Sequence, residues 1–324
     1  MNRAPGRGFA LIIVLVAIAV MSLVIGAFAA RIDSLREQTA NFSAYARARV
    51  QAGNAAAAGL YWVTTRSGGP AGYGEPGALP GLRADGRPYR VDDGLVRMQD
   101  LRGLYPLNDI DRDSLARLLR SLGAAQGSID GHIDVLLDYT DTDRLKRLNG
   151  AEAADYAALG LPPPRDDYLL STRELARMPL WRDAQPLVDA MDVLGGVNRS
   201  AVINPNTAQR SVLQSFLPSA SAQQIELLET LRRQLPFDSS QSAERLTGIS
   251  MPEGRFVFHT GEQLRLIAWA PGLPQAVQYN LVLIPGGVEA PWLITEVHTI
   301  PAPQTRDTYD SAAPFPLVIA PARP

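Results

Sequence analysis

Residues 9–30 read FALIIVLVAIAVMSLVIGAFAA, an unbroken run of apolar and small residues without a formal charge. At a rise of 1.5 Å per residue, a helix of about 22 residues is roughly 33 Å long, close to the ~30 Å hydrocarbon core of a bilayer. Arg3 and Arg7 precede the run, and the positive-inside rule places them in the cytoplasm. The run therefore predicts one transmembrane helix with the bulk of the protein outside the cytoplasm.

Two interpretations of this run compete. A cleavable secretory signal would use the small-x-small site Ala27-Phe28-Ala29, but the apolar region of such signals is only about 7–15 residues long. The other interpretation is an anchor that is retained. The boundary Gly8-Phe9, where the short basic leader meets the apolar run, favours the anchor. It is similar to the site that prepilin peptidase cuts in type IV pilins and type II secretion pseudopilins. The resemblance implies a leader of residues 1–8 and a mature, methylated terminus at Phe9.

The fifth residue after that boundary departs from the pilin pattern. Most pilins carry a glutamate there, which is thought to pair with the N-terminal amine of a neighbouring subunit, whereas this chain has Ile13. A carboxylate in the bilayer costs several kcal/mol unless it is paired. A subunit with no neighbour above it has no amine to meet, so an apolar residue is favoured. Within the family, this loss is characteristic of the minor pseudopilin K.

Composition limits the possible functions. The chain has 324 residues, is 46% hydrophobic and carries a net charge of −2, which is typical of a folded protein with a sizeable core. The near-zero charge argues against bulk attraction to nucleic acid. The chain has no cysteine, which excludes disulfides, thiolate nucleophiles and cysteine metal sites.

The pattern beyond the anchor predicts an α+β fold. A spine helix continues to about residue 63 and is followed by a loop and the first strands (64–105). A helical block (106–253) interrupts the strand pattern, which returns at 254–300, and a proline-rich, mobile tail (301–324) ends the chain. Within the tail, the apolar segment 315–319 could alternatively dock as a short strand. The strands suit an antiparallel sheet packed on the spine helix. A large all-α insertion in a pilin-like sheet, SAM-like or helix-hairpin-helix-like, resembles the architecture of minor pseudopilin K.

Four short motifs resemble that family and occur in the family's order. They are Asp100-Leu101-Arg102-Gly103 with Leu107-Asn108, Asp138-Tyr139-Thr140-Asp141-Thr142-Asp143, Gly150-Ala151-Glu152 with Asp155-Tyr156, and Ile203-Asn204-Pro205-Asn206-Thr207-Ala208. An ordered series is far more specific than any single motif. The resemblance implies a single-pass protein of the bacterial inner membrane, with a cytoplasmic N-terminus and its bulk in the periplasm.

The resemblance also implies a role and a set of partners. A minor pseudopilin of this kind caps the tip of the periplasmic pseudopilus of a type II secretion system. It starts pseudopilus assembly in a ternary complex with other minor pseudopilins. The further partners that the resemblance implies are the major pseudopilin, prepilin peptidase, the inner-membrane assembly platform, the secretin and secreted substrates.

Five carboxylates lie in a short, loop-rich stretch, at Asp138, Asp141, Asp143, Glu152 and Asp155. Hard oxygen ligands at irregular spacing suit calcium, which accepts six to eight oxygens in flexible geometry. The competing interpretation is a solvated acidic loop neutralised by Arg144, Lys146 and Arg147, and the residues alone favour neither. The family is known for calcium in this domain, so the resemblance implies a Ca²⁺ site.

Catalytic constellations are absent from the sequence. His132, His259 and His298 are far apart, and no two of them have the spacing of a metalloprotease motif. The chain lacks a Gly-x-Ser-x-Gly nucleophile elbow, and no aromatic-rich sugar platform accompanies its carboxylate pairs. We therefore expect that the protein is not an enzyme.

A nucleic-acid module is the alternative from another functional class. Residues 203–208, followed by two helices, resemble the opening of helix-hairpin-helix domains in membrane-anchored DNA-uptake proteins. Those domains place a glycine-apolar-glycine hairpin where backbone amides meet phosphate. Here the turn is Leu217-Pro218-Ser219-Ala220-Ser221, without glycine or a nearby lysine. The same scaffold serves protein contacts, and the charge balance predicts a protein partner and no nucleic acid.

Overall fold

The computed structural model describes residues 7–75, 81–252, 254–303 and 306–316. Within these ranges one long helix packs on an antiparallel sheet, and a block of shorter helices is inserted between two neighbouring strands of that sheet. The α+β fold class predicted from the sequence is therefore confirmed. Residues 1–6 of the predicted leader and residues 304–305 and 317–324 of the predicted tail lie outside the described residues.

The long helix α1 (Arg7–Thr65) contains 59 residues, which corresponds to a length of about 88 Å. Its side chains are almost all exposed from residue 11 to residue 47, and they become buried only where the helix reaches the sheet. Within Leu11–Thr65, an 18-residue stretch of α1 has a mean hydropathy of 3.1. By length and composition it is the one helix in the described part of the chain that could cross a membrane.

The remaining elements follow in chain order. The strands are β1 (Ser67–Gly68), β2 (Gly72–Gly74), β3 (Leu82–Arg83), β4 (Asp85–Val91), β5 (Gly94–Asp100), β6 (Tyr105–Pro106), β7 (Gly195–Gly196), β8 (Gln263–Trp269), β9 (Gln275–Leu283), β10 (Trp292–Pro301) and β11 (Ala313–Pro314). The helices are α2 (Arg112–Ser121), α3 (Ile129–Thr140), α4 (Ala153–Ala158), α5 (Gln185–Leu194), α6 (Arg210–Phe216), α7 (Ala222–Gln234), α8 (Ser240–Thr247) and α9 (Arg306–Asp310). Short 3₁₀ turns occupy Leu101–Gly103, Gln126–Ser128, Thr172–Arg177 and Trp181–Asp183.

The main sheet has six strands in the order β10-β9-β8-β5-β4-β11. All neighbouring strands are antiparallel except β11, which pairs parallel to β4. Alternation along β8 decides which face meets the long helix: Leu264 and Leu266 belong to the apolar core beneath α1, whereas Arg265 lies on the opposite face and bonds to the helical insert.

The packing of β5 on α1 fixes the direction of the sheet. At the start of β5, a Cβ on Gly94 would lie 2.4 Å from the carbonyl oxygen of Gln51. Farther along both elements, a Cβ on Gly59 of α1 would lie 3.2 Å from Val96. Strand β5 therefore runs in the same sense as α1 and ends near the end of the helix. The helical insert, which leaves β5 and re-enters at β8, thus lies at the end of the sheet farthest from the apolar run.

The insert has its own hydrophobic core, separate from the core between α1 and the sheet. Its largest fully buried side chains are Trp181, Tyr105, Tyr156, Leu107, Leu115, Leu118, Leu119 and Ile133. The parallel pair β6 and β7 closes this unit, with Tyr105 opposite Gly195. Helices α2 to α8 all lie within the range 106–253 that the sequence predicts for the insert. An independent core allows the insert to keep its own shape on the sheet.

A buried carboxylate joins the insert to the sheet. Asp100, the last residue of β5, is 0% exposed. Its Oδ1 accepts hydrogen bonds from the backbone N–H groups of Arg102 (3.1 Å) and Gly261 (3.2 Å). Its Oδ2 accepts from Asn204 Nδ2 (3.2 Å) and Thr207 Oγ1 (3.1 Å). One side chain therefore links the end of β5, the entry to β8 and the insert.

The tail differs from the mobile segment that its proline content predicts. Residues 313–314 form β11 on the edge of β4, and the N–H of Phe315 donates to the carbonyl of Arg90 at 3.0 Å. The Phe315 ring is 9% exposed and packs edge-on against Trp62 (5.8 Å) and Tyr89 (6.3 Å). Burial of an aromatic ring stabilises a docked segment. Residues 313–316 are therefore docked on the edge of the sheet in this structure.

Close packing at the junction gives a direct test of the fold. A Cβ on Gly103 would lie 2.5 Å from both Gln99 Nε2 and the carbonyl oxygen of Thr207. We expect Gly103→Ala to lower the free energy of unfolding by about 1–3 kcal/mol, because the backbone of residue 207 must move. Thermal unfolding of the full chain in detergent measures the change. Gly127→Ala is the matched control, since nothing lies within 4 Å of its added Cβ; equal melting temperatures for the two variants would contradict the prediction.

Candidate functional site

The structure places the predicted anchor residues on the free part of α1. Ile13 is 53% exposed and lies on a stretch of helix that makes no contact with the sheet. Gly8 and Phe9 lie in the first turn of the helix, and the side chain of Phe9 is outside the described part of the structure. The position at which most pilins carry a carboxylate is therefore apolar and accessible to a neighbouring helix.

The acidic loop between α3 and α4 is organised around Asp138. This carboxylate lies in the last turn of α3 and is 0% exposed. Arg147 Nη1 donates to Asp138 Oδ1 (2.5 Å) and also to Asp141 Oδ2, so one nitrogen bridges two carboxylates. The N–H of Arg147 donates to Asp138 Oδ2 at 3.2 Å. A Cβ on Gly150 would lie 1.8 Å from that same oxygen, so the loop can approach Asp138 only with glycine at this position.

Two of the five predicted carboxylates have other partners. Asp155 Oδ1 pairs with Lys146 Nζ at 2.6 Å, and its Oδ2 accepts from the N–H of Glu152 at 2.9 Å. The second bond satisfies a free donor at the start of α4, as a capping side chain does. Asp143 accepts from the N–H of Leu145 at 2.7 Å within the loop. Both carboxylates therefore shape the loop.

Glu152 is the least compensated member of the cluster. The residue is 9% exposed, and its Oε1 is buried without a hydrogen-bond partner. Asp141 Oδ1 is buried and unpartnered in the same way. Burial raises the pKa of Glu152, and the negative charges of Asp138 and Asp141 raise it further. Two buried acceptors without donors therefore lie in an environment with an excess of negative charge.

These contacts decide how well a metal ion fits. Among residues 7–75, 81–252, 254–303 and 306–316, no three acidic or histidine side chains are arranged to hold one ion as they stand. Arg147 bridges Asp138 and Asp141, and Asp155 pairs with Lys146. The unpartnered oxygens of Asp141 and Glu152 are nevertheless hard donors of the kind that Ca²⁺ prefers. The donor chemistry fits calcium, whereas the position of Arg147 does not, and the site stays a prediction.

Sequence reasoning did not single out Asp134, which holds the loop in place. Asp134 lies one turn before Asp138 on α3, and Arg112 on α2 donates to its Oδ1. Its Oδ2 accepts from the N–H (3.2 Å) and the side-chain amide (3.1 Å) of Asn149. The i,i+4 spacing of two aspartates on one face of an apolar helix is the signal that could have identified it.

Residues 203–208, the segment that resembles the opening of a helix-hairpin-helix domain, are buried inside the protein. Asn204, Asn206 and Thr207 are each 0% exposed. Asn204 and Thr207 donate to Asp100, while the Asn206 side chain exchanges two hydrogen bonds with the backbone of Phe237, both of 2.9 Å. All three polar side chains are therefore used inside the protein and are not available to phosphate groups or bases.

The fold defines a class of protein: an α+β chain with one long N-terminal helix that could cross a membrane and a helical insert at the far end of its sheet. Residues 96–188, which span β5 to the first half of α5, match the family described as type II secretion system (T2SS), protein K. The resemblance predicted from the sequence is therefore confirmed over these residues, less than a third of the chain. No curated protein matches the sequence.

A solved structure gives a second comparison. The crystal structure of the GspK-GspI-GspJ complex from the type 2 secretion system of enterotoxigenic Escherichia coli contains a similar chain, at 15% sequence identity and a TM-score of 0.46. The alignment covers 83% of this chain and 99% of that chain.

The Asp134 carboxylate predicts a pH dependence of stability. Burial raises the pKa of Asp134, but the bonds from Arg112 and Asn149 outweigh that effect and hold the pKa below its ordinary value. Because the folded-state pKa is lowered, Asp134 stabilises the protein above pH ~4, and this stabilisation is lost as the pH falls through the folded-state pKa. At pH 7 we expect Asp134→Asn to lower the free energy of unfolding by about 1.5–3 kcal/mol.

The pH series includes its own control. Unfolding of the wild type and of Asp134→Asn is followed from pH 7 to pH 3, and the difference between them should shrink as the pH falls. Asp130→Asn is the control, because Asp130 is exposed and pairs only with the same Arg112, at 3.4 Å. A difference between wild type and Asp134→Asn that is independent of pH would contradict the assignment.

Proposed function

We propose that this chain is the minor pseudopilin K of a type II secretion system, which caps the tip of the periplasmic pseudopilus and starts its assembly. The observation that carries the proposal is that the apolar half of α1 and the helical insert lie at opposite ends of the sheet. The match of residues 96–188 to protein K supports the same role.

The geometry favours the tip over the shaft of a fibre. In a filament built by stacking long helices side by side, each subunit needs space above its sheet for the next one. In this chain that space holds residues 106–253, a unit with its own core. The buried bonds of Asp100, together with those from Arg265 to the carbonyls of Asp192 (2.8 Å) and Gly195 (2.9 Å), hold the insert there. A subunit of this shape can begin a filament but leaves no room for another above it.

The apolar anchor supports the same position. Ile13 replaces the glutamate that would pair with the terminal amine of a subunit above. A tip subunit has no such neighbour, and an unpaired carboxylate in the bilayer would be destabilising. The amine of Phe9, in turn, is free to receive the glutamate of the subunit below. The chain is then a single-pass inner-membrane protein with a cytoplasmic terminus and a periplasmic bulk.

Processing by prepilin peptidase between Gly8 and Phe9 is part of this proposal. The apolar run begins directly at that bond, so cleavage leaves the whole anchor in place. Mass spectrometry of the detergent-extracted protein should give a mature chain that begins at methylated Phe9. A mature terminus at Ala30 would instead show removal of the helix as an ordinary signal peptide.

The proposed partners follow from a tip position. They are two other minor pseudopilins in a ternary complex, the major pseudopilin below them, prepilin peptidase, the assembly platform in the inner membrane, and the secretin and secreted substrates. We propose a structural role without catalysis. His132, for example, is used internally: its Nδ1 lies 2.7 Å from the Ser128 carbonyl and its ring packs on Trp181. Burial of the polar side chains in residues 203–208 argues against the DNA-binding alternative.

We also propose calcium as the ligand of the acidic loop, through Asp138, Asp141, Asp143, Glu152 and Asp155. The unpartnered oxygens of Asp141 and Glu152 support this proposal. A bound ion would supply positive charge to a cluster whose five carboxylates exceed its paired cations. A ligand that binds only the folded state stabilises it by RT ln(1 + [L]/Kd). Calcium should therefore raise the melting temperature and a chelator should lower it.

The tip assignment predicts a specific assembly defect. We expect the full chain to co-purify from membranes with two other minor pseudopilins. An affinity label on the insert, for example at the exposed Ser219, should appear once per fibre, at one end. Deletion of residues 106–253 should reduce fibre initiation and secretion, whereas a chain truncated after residue 316 should assemble normally. Regular decoration along the fibre shaft, or normal secretion after the deletion, would contradict the assignment.

A further inference from the structure

The main sheet has an open edge at β10. Strand β10 contains ten residues and pairs with β9 on one side, and within the described residues no strand lies on its other side. The opposite edge of the sheet differs, because β11 of the same chain pairs with β4 there. An unpaired edge leaves backbone N–H and C=O groups free to bond with another extended chain.

Strand β10 lacks most of the features that protect edge strands. It contains no lysine or arginine, and its one proline, Pro301, is its last residue. A bulge lies between Ile294 and Glu296, but from Glu296 to Pro301 the strand pairs with β9 without a break. Val297, in the middle of this stretch, is 54% exposed. Lysines, prolines and bulges are the usual protection against edge pairing, so this half of β10 is a regular and accessible edge.

A cleft of about 650 Å³ lies between this edge and the helical insert. Its walls come from residues 171–177, from helix α5 and from residues 296–301 of β10. Side chains alternate between the two faces of a strand, so a chain added to β10 would direct every second side chain towards the insert. The edge and the cleft together can therefore select both an extended backbone and a particular side chain.

The charged groups of the cleft are not equally satisfied. Four carboxylates line it, and each accepts a hydrogen bond from elsewhere in this chain. The pairs are Glu174 with the N–H of Ser171 (3.2 Å), Asp189 with Gln185 (2.7 Å), Asp192 with Thr172, and Glu296 with Ser171 Oγ (2.6 Å). In contrast, the guanidinium groups of Arg173 and Arg177 make no hydrogen bond or ion pair in the part of the chain that the structure describes.

His298 is the least satisfied group in the cleft. Its side chain is 7% exposed, and neither ring nitrogen has a hydrogen-bond partner among the described residues, although Nδ1 lies 3.4 Å from Glu296 Oε1. Directly opposite on β9, Gln278 is buried and its Nε2 likewise has no acceptor there. At least one nitrogen of a histidine ring carries a hydrogen, and buried donors without acceptors are rare. The cleft therefore lacks a hydrogen-bond acceptor.

We propose that β10 is a docking edge for an extended segment of another protein, which adds to the sheet as a further strand and places a carboxylate side chain in the cleft beside His298, Arg173 and Arg177. Main-chain hydrogen bonds supply the affinity in this mode of recognition, and a side-chain pocket supplies the selectivity. The carboxylate supplies the missing acceptor and pairs with the two free arginines. The inference goes beyond the tip role and does not depend on it.

The direction of the strands argues against a second copy of this chain as the occupant. Strand β5 runs in the same sense as α1, and β8, β9 and β10 follow with alternating direction, so β10 runs opposite to α1. Antiparallel pairing of two β10 strands would therefore point the two long helices in opposite directions. Two chains anchored by α1 in one membrane cannot adopt that arrangement.

The test measures the binding of labelled peptides to the full chain in detergent by fluorescence anisotropy. The probe is the acetylated peptide Thr-Val-Thr-Glu-Thr-Val-Thr, and a matched peptide carries glutamine in place of glutamate. We expect the acidic peptide to bind about fivefold more tightly, because a carboxylate forms the stronger, charge-assisted bonds. A third peptide with proline in place of both valines cannot form a strand and should not bind.

Variants of the chain test the edge and the cleft separately. Val297→Lys places a charge on the open edge and should weaken the binding of both peptides by at least about tenfold. Val288→Lys is the matched control, because Val288 is fully exposed in the loop before β10, and it should bind as the wild type does. The double variant Arg173→Gln/Arg177→Gln should lose the preference for the acidic peptide and keep its affinity for the glutamine peptide.

His298→Leu distinguishes a binding role from a structural one. Replacing a buried, unpartnered polar side chain by an apolar one does not remove a stabilising hydrogen bond. The melting temperature of the free chain should therefore not fall. The affinity for the acidic peptide should nevertheless fall about fivefold, since the donor that faces the carboxylate is lost.

Three results would overturn the proposal. No binding of the acidic peptide, or equal binding by the wild type and Val297→Lys, would exclude strand addition at β10. Binding without preference for the acidic peptide would exclude a carboxylate in the cleft. Self-association of the wild type in sedimentation analysis that Val297→Lys abolishes would assign the edge to a second copy of this chain.

Discussion

The architecture depends on one buried carboxylate at the boundary between sheet and insert. Burying an ionised carboxylate is unfavourable unless donors replace the lost water. Desolvation raises the pKa of Asp100, and the four hydrogen bonds it accepts oppose that effect. These donors belong to three separate segments, so the carboxylate is satisfied only when all three are in place. The same arrangement sets the direction in which the helical insert leaves the sheet.

The hydrogen bonds of Asp100 therefore determine where the helical insert lies in the whole molecule. Strand β5 runs in the same sense as α1, so Asp100 lies at the end of the sheet away from the apolar run. The insert is therefore held at one end of the protein and the candidate membrane helix projects from the other. Arg83, Gln99 and Arg265 add further bonds from the sheet to carbonyls of the insert. An end-to-end shape of this kind suits a subunit that terminates a filament.

The elements that the sequence predicted well are those encoded by short-range patterns. The apolar run of residues 9–30, the spine helix and the helical character of residues 106–253 follow from periodicity and composition, and the structure contains all of them. The direction of the sheet relative to α1 was beyond such reasoning, because it depends on contacts such as Gly59 with Val96 between distant segments. The tail was misjudged for a related reason. Its proline content favoured mobility over docking, because the partner of Phe315, Trp62, lies more than 250 positions earlier in the chain.

The acidic loop between α3 and α4 likewise contains contacts that could not be predicted from the sequence alone. Residue types alone predicted a cluster of carboxylates and the basic residues able to neutralise it. They did not predict which cation meets which anion, because that depends on the path of the loop over Gly150 and on the bonds of Asn149 to Asp134. The structure assigns Arg147 to two carboxylates and Lys146 to a third, and it leaves Arg144 in solvent. The tertiary structure therefore determines which charges in this loop neutralise one another.

The central claim is that the insert is fixed at the end of the molecule opposite the anchor. The chain has no native cysteine, so spin labels can be placed selectively at Ala40→Cys on the free part of α1 and at Ser219→Cys on the insert. Double electron–electron resonance on the full chain in detergent then measures the distance between the two labels. The account predicts one narrow distribution at the separation seen in the structure. A broad distribution, or a second population at short distance, would show that the insert is not fixed relative to α1 and would contradict it.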